Sequence, residues 1–286
     1  MSLSDALAAF TQPTQLAAEH RRLMEEHHKP VDWSRSTVDA LPPTLRAGLA
    51  AMWRARMVSE HRAVGIFQLY GLDLLAAGAP AEVLSLACRA ALDEVRHAEL
   101  FARLTTLYSG SPETPPPGIP PLSEDPSIPI DHQVAREALH LSVGSETFSA
   151  VLLQEKRERA EDPVVRDVLG VVIADEIHHA RMGWAFLSSL VERRAESAKA
   201  AELHALLQRE LVPLFDDLTA AMFGDPTALP AAGVPEAERP LARAHGWMST
   251  RDEYALYRAA IDEVWIPGFV ELGLDPRGIA ERYPRG

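Results

Sequence analysis

Two stretches of the chain, ALDEVRHA at residues 91–98 and IADEIHHA at residues 173–180, set Asp-Glu-x-x-His into apolar, helix-like sequence. Burying a charge is costly unless it is paired or bound to a metal. Two such clusters therefore limit the chain to folds in which the charges meet a partner. On an α-helix, positions i and i+3 share a face. Glu94 and His97 project together, as do Glu176 and His179. If both pairs face one core, four ligand-type side chains converge there.

The rest of the sequence agrees with a helical setting. Apolar residues recur at three- and four-residue intervals, and alternating strand patterns are absent. The periodicity predicts helices near residues 3–27, 43–72, 80–108, 132–160, 163–194 and 198–223, and another from Ser249 or Thr250. Pro213 is expected to kink its helix, and Pro267 with Gly268 to distort or end the last one. Residues 109–131 hold eight prolines and read as an extended crossover. The expected fold is all-α. It comprises one domain over residues 1–286, with a core at about 43–195, added N-terminal helix, and a C-terminal helical extension from 196 to 286.

The two halves of that core resemble each other. An offset of 82 lays LDEVRHAEL over ADEIHHARM, and an offset of 86 lays Ser59-Glu60 over Ser145-Glu146. This pairing supplies two further candidate ligands, Glu60 and Glu146. Glu60 is the only acidic residue between Pro43 and Leu72; its alternative reading is a surface glutamate paired with Arg56. Glu137 and Glu155 compete with Glu146 but sit among charged neighbours. Turn chemistry offers a check on register. The midpoint of Glu60 and Glu94 is residue 77, beside Gly78 and Pro80, which suit a helix end and a helix start. The midpoint of Glu146 and Glu176 is residue 161, beside Asp162 as N-cap and Pro163 as first helical residue.

Four carboxylates and two imidazoles, one imidazole per metal, suit a pair of iron or manganese ions. Asp93 and Asp175 could each accept the free N–H of the histidine on the opposite helix, fixing its tautomer. His61 and His178 adjoin ligands but point roughly 100° away on an ideal helix. The Glu25-Glu26-His27-His28 cluster reads as an exposed helix end.

With 28 basic and 41 acidic residues the net charge is −13, which argues against nucleic-acid or anionic-membrane partners. No uncharged stretch approaches the ~20 residues of a membrane span. The N-terminus lacks a signal-peptide pattern, so a cytoplasmic location is expected. Cys88, the single cysteine, excludes an internal disulfide and is expected to be a small buried residue.

The pattern Glu60, Asp93-Glu94-Val95-Arg96-His97, Glu146, Asp175-Glu176-Ile177-His178-His179 resembles the ferritin-like di-iron carboxylate superfamily, in which two helices give a Glu each and two give Glu-x-x-His. DEVRH is also similar to the Asp-Glu-x-Arg-His motif of bacterial multicomponent monooxygenase hydroxylases; the second copy has His178 in place of that arginine. The resemblance covers about residues 43–195 and implies a ferritin-like four-helix bundle. It further implies a centre of two iron ions, or a manganese–iron pair, that activates O2 to oxidise a small organic substrate with electrons from a separate reductase or ferredoxin.

Three positions narrow what the resemblance implies. Phe101 replaces the tyrosine of ribonucleotide reductase radical subunits, Ala150 the threonine of monooxygenase hydroxylases, and Val172 the extra histidine of arylamine N-oxygenases. The competing expectation is a ferroxidase, peroxide-scavenging or iron-binding protein. The extension from 196 is expected to serve as a substrate lid or a homodimer contact. Trp247, Trp265 and Phe269 there are expected to be packing residues. Gly144 and Ser145 could leave room beside Glu146 or allow close helix packing.

Overall fold

The computed structural model describes residue 18 and residues 20–24, 30–116, 127–192, 197–229 and 233–283. Among these residues the protein is all-helical, with no strand. Of the leading helix expected at 3–27, residues 18 and 20–24 are helical and the rest lies outside the described residues, as does the Glu25–His28 cluster.

Helix α1 (Pro43–Ala76) starts on Pro43, whose missing N–H costs nothing at a first helical position. It ends where Gly78 takes φ 71°. There Ala79 N–H reaches Leu74 O at 2.9 Å and Gly78 N–H reaches Leu75 O at 3.1 Å, satisfying the last carbonyls. Helix α2 (Ala81–Ser109) follows at once, with Pro80 as its N-cap rather than inside its first turn. The crossover that follows is non-helical over residues 110–116 and 127–129, and its centre lies outside the described residues.

The long helix expected at 132–160 is in fact three segments: α3 (Ile130–Glu137), a π-helical stretch Ala138–Glu146, and α4 (Thr147–Arg159). The wider π turn frees backbone carbonyls, and side chains cap them. Ser145 Oγ donates to His140 O (3.2 Å), and Trp265 Nε1 donates to Val143 O (2.7 Å). Neighbouring helices press against this stretch. A Cβ on Gly183 would lie 2.3 Å from Ser142 Cβ, and one on Gly144 would lie 3.0 Å from Leu214 Cδ1. Gly144 therefore serves close packing.

Helix α5 (Pro163–Glu192) is capped by Asp162, whose Oδ1 accepts from Val165 N–H at 2.9 Å. Its Oδ2 accepts from Thr37 N–H (2.7 Å) and from the Ser36 hydroxyl (2.9 Å), which ties the segment before α1 to the start of α5. Burial alone would push the Asp162 carboxyl up, but these donors outweigh it and hold it below the ordinary carboxylate range. A lowered carboxylate pKa contributes stability that is present above the unfolded value and lost as pH falls through the folded one. Asp162→Ala removes a cap and strands a buried N–H, so it is expected to cost about 2–3 kcal/mol at neutral pH. Urea unfolding measures this, and the deficit should shrink as the pH is taken below 4.

Helix α6 (Ala198–Phe223) runs through Pro213 without interruption. It is followed by α7 (Arg239–Ala244) and by α8 (Thr250–Ala260), which is capped by Ser249. A second π stretch (Ile261–Trp265) leads into α9 (Ile266–Glu271), and α10 (Arg277–Arg282) closes the described chain. Pro267 thus distorts the helix without ending it, since the π turn makes room where the ring would meet the preceding carbonyls.

Two apolar clusters form the core. One gathers Phe67, Tyr70 and Leu74 of α1, Ala87 and Ala90 of α2, Val143, and Leu214, Phe215, Trp265 and Phe269 of the extension. The other gathers Trp53 and Met57 of α1, Phe101 and Leu104 of α2, Leu153 of α4, and Val164, Val168 and Val172 of α5. Trp265 and Phe269 pack as expected, and Trp247 sits against the second cluster. Cys88 is exposed, against the expectation of burial: the apolar face of α2 there is taken by Ala87, Ala90 and Ala91. No helix among the described residues is long and apolar enough to cross a membrane.

Candidate metal centre

Helices α1, α2 and α5 and the π stretch place acidic or histidine side chains inward. Glu60 comes from α1, Glu94 and His97 from α2, Glu146 from the end of the π stretch, and Glu176 and His179 from α5. All six are buried, none more than 6% exposed. Four carboxylates at that depth cannot stand uncompensated.

The side chains meet in two groups that share Glu94. Ligand atoms of Glu60, Glu94 and His97 lie within 4.8 Å of one another, as do those of Glu94, Glu146, Glu176 and His179. Glu94 turns Oε2 to His97 Nδ1 (3.6 Å) and Oε1 to His179 Nδ1 (3.2 Å). His97 Nδ1 is also 3.6 Å from Glu60 Oε2, and His179 Nδ1 is 3.5 Å from Glu176 Oε2 and 3.7 Å from Glu146 Oε2. Both Glu94 oxygens, both Nδ1 atoms and Glu176 Oε2 lack a well-aligned hydrogen bond among the described residues. Buried polar atoms are rarely left so. Gathered in these two groups, such atoms could hold metal ions.

The far nitrogens face the opposite helix. His97 Nε2 is hydrogen-bonded to Asp175 Oδ2 at 3.3 Å, and His179 Nε2 lies 3.6 Å from Asp93 Oδ2, an ion-pair contact beyond hydrogen-bond length. Arg96 Nη1 donates to Asp93 Oδ1 (2.6 Å) and to Asp175 Oδ2 (3.2 Å), joining the two aspartates, while Arg89 Nε donates to Asp93 at 2.7 Å. An imidazole whose Nε2–H is held by a carboxylate keeps Nδ1 free as a donor. Asp175→Ala is therefore expected to weaken metal binding about 10–100-fold with all six ligand residues present. Competition against a chelator reads this, and unchanged affinity would mean that Asp175 does not orient His97.

The metal-free centre draws protons in place of cations. Burial pushes Glu60 up to about 7, against the pull of Arg56. Burial and the neighbouring Glu176 raise Glu146 well above its ordinary value. Burial opposes charge on both histidines, but Glu94 and Asp175 around His97, and Asp93, Glu146 and Glu176 around His179, outweigh it and hold both well above the usual imidazole value. Burial would raise Glu176 too, yet close contact with Glu146 and His179 keeps it well below its ordinary value.

A second arginine lies on the other side of the cluster. Arg56 Nε contacts Glu60 Oε1, and its Nη2 donates to Glu176 Oε1 (3.0 Å) and to Ser149 Oγ (2.6 Å). Ser149 Oγ in turn donates to Glu176 Oε1 at 2.6 Å. The Arg56–Glu60 pair is thus present, but buried against the cluster rather than on the surface. Arg56 and Ser149 were not singled out as site residues by sequence, although Arg56 stands four residues before Glu60 and Ser149 three after Glu146, on the same helix faces.

A cleft of about 620 Å³ opens onto Glu60, Glu94, Glu146 and Glu176. Its other walls are largely apolar, with Met52, Phe148 and Leu152 from the core helices and Leu218, Met222 and Phe223 from α6. Lys156 of α4 and Glu253 of α8 pair across its wall at 2.7 Å. Ser145 also lines it. The C-terminal extension thus supplies one side of the cleft. His178 is exposed and His61 half-buried, both outside the cluster, and Glu155 pairs with Arg159. Phe101 is buried beside Trp53, and Val172 lies in the second apolar cluster.

No protein-family model, curated protein or solved structure matches this chain.

Proposed function

We propose that the protein is a ferritin-like four-helix bundle holding a dinuclear iron or manganese–iron centre, and that it oxidises a small organic substrate with O2. The carrying observation is the pair of buried groups sharing Glu94, in which both Glu94 oxygens and both histidine Nδ1 atoms lack hydrogen bonds. Glu60, Glu94 and His97 would hold one ion, and Glu94, Glu146, Glu176 and His179 the other. Hard oxygen donors with one imidazole each favour iron or manganese over zinc or copper. Bound there, the ions would supply O2 activation and electron transfer.

The chain's own residues do the rest. Asp93 and Asp175 orient the histidines, with Arg96 holding both aspartates. Arg56 and Ser149 hold the cleft-side oxygens of Glu60 and Glu176. The cleft has the size to take a small molecule, since cavities of roughly 300–1,000 Å³ are typical of ligand sites. That cleft favours an organic substrate over iron storage. Hydroxylation of a C–H bond sends one atom of O2 into product and the other into water, consuming two electrons and two protons. An external electron donor is therefore part of this reading.

Metal analysis of the purified protein, then anaerobic Fe(II) loading and exposure to O2, tests it. About two irons per chain with a fast transient in the visible spectrum support an oxygenase. About two irons oxidised slowly without a transient favour ferroxidase or peroxide chemistry. No bound metal sinks the reading.

A further inference from the structure

Resting on that reading, we infer that the cleft takes a monoanionic substrate, an alkyl or aryl body carrying a carboxylate or similar group, and that Arg56 is its anchor. The inference starts from charge. In the metal-free protein Arg56 is balanced by Glu60 and Glu176. Two divalent cations neutralise the four glutamates of the cluster. On the histidine side, Asp93 and Asp175 are matched by Arg89 and Arg96. At the cleft wall, Lys156 is matched by Glu253. One positive charge is then left over at the centre, on Arg56. Its side chain is 22% exposed and lines the cleft.

Arg56 would keep its hydrogen bonds to Ser149 and Glu176 and its contact with Glu60, but not its charge balance. A desolvated, unbalanced cation is costly, and an entering anion removes that cost. With Nε on Glu60 and Nη2 on Glu176 and Ser149, the Nη1 N–H groups are the donors left to face an entering carboxylate oxygen in a charge-assisted hydrogen bond. The rest of the cleft offers an apolar body its match in Met52, Leu152, Leu218 and Phe223. A neutral molecule of the same shape would gain the apolar contacts and leave Arg56 unbalanced. The charged end would thereby be fixed at the metal side of the cleft, beside Glu60 and Glu176, with the apolar body directed along its walls.

The probes are octanoate, octanesulfonate and octanamide, titrated calorimetrically into Fe(II)-loaded protein under anaerobic conditions, with metal content measured on the same sample. Both anions are expected to bind at least about tenfold tighter than the amide, a difference of one charge-assisted hydrogen-bonded contact. Sulfonates coordinate metals weakly, so a preference for octanoate alone would mean metal coordination and overturn the role of Arg56. Equal binding of all three probes also overturns it. Arg56→Gln, at unchanged metal content, is expected to erase the preference for anions, and an undiminished preference would overturn the assignment. Ala221→Trp, which fills the cleft from α6, is expected to abolish binding of all three; retained binding places them elsewhere and overturns the site. Absence of metal in the wild-type sample would instead defeat the dinuclear reading itself, and the anchor with it.

Discussion

Glu94→Ala is expected to lose the ion held with Glu60 and His97 and to weaken the other, leaving less than one ion per chain, whereas Glu60→Ala should leave about one, tightly held. The difference follows from position. Glu94 turns one oxygen toward His97 and the other toward His179, so it belongs to both donor groups. Removing it leaves Glu60 with His97 on one side, too few donors to hold an ion, and takes a hard oxygen from the other. Glu60 belongs to the first group only, and its loss leaves Glu94, Glu146, Glu176 and His179 in place. Both substitutions trade a buried carboxylate for a methyl group in a cluster crowded with like charges. Helical content should therefore survive in each, as circular dichroism would show. Plasma emission spectrometry on Fe(II)-loaded protein counts the ions. Equal losses in the two variants would refute a shared Glu94, and full loading of Glu94→Ala would refute the centre.

The same substitutions separate a dinuclear centre from an ordinary buried salt-bridge network. If histidines and carboxylates simply paired with one another, removing Glu94 would destabilise the protein by the same amount with or without added Fe(II). Loss of a buried partner in such networks costs about 3–5 kcal/mol. If the cluster also holds cations, Fe(II) stabilises the parent protein markedly and the variant much less.

Much of this site was readable because helical spacing is a strong constraint. Once Glu94 with His97 and Glu176 with His179 share faces, a helix repeat and two midpoint turns are enough to bring in Glu60 and Glu146. The turns formed where needed because Gly78 can take a positive φ and Asp162 can cap, both properties of the residue itself. The crosswise pairing of Asp93 with His179 and Asp175 with His97 was readable for the same reason. The π stretch was not. ALHLSVGSE has no residue that encodes an extra backbone position, and what sustains the stretch lies far off in sequence. Trp265 donates to Val143 O, and Gly183 leaves space for Ser142. Arg56 was readable only as a pairing partner, since nothing local says whether an i, i+4 pair is at the surface or in the core. Cys88 shows the converse. An apolar helical context does not say which residue of a small-side-chain run faces inward.

Metal binding should release protons near pH 7, and overall affinity should rise from pH 6 to pH 8. In the metal-free protein His97 and His179 are held protonated, Glu146 is pushed well above its ordinary value, and Glu60 sits at about 7. Divalent cations must displace those protons. Every one of these four groups binds protons more tightly folded than unfolded, so each makes the metal-free fold lose stability as pH rises through its folded value. Glu176 is shifted the other way, but it titrates well below its ordinary value and does not contribute in this range. Between pH 6 and 8 the metal-free protein should therefore melt at progressively lower temperature, while the loaded protein changes little. The gap between their midpoints should widen with pH. Calorimetric titration in two buffers of different ionisation enthalpy counts the protons, and paired melting curves read the gap. A gap independent of pH, with no proton release, would mean that the cluster binds its cations without giving up protons. The four raised groups would then not be the ligands.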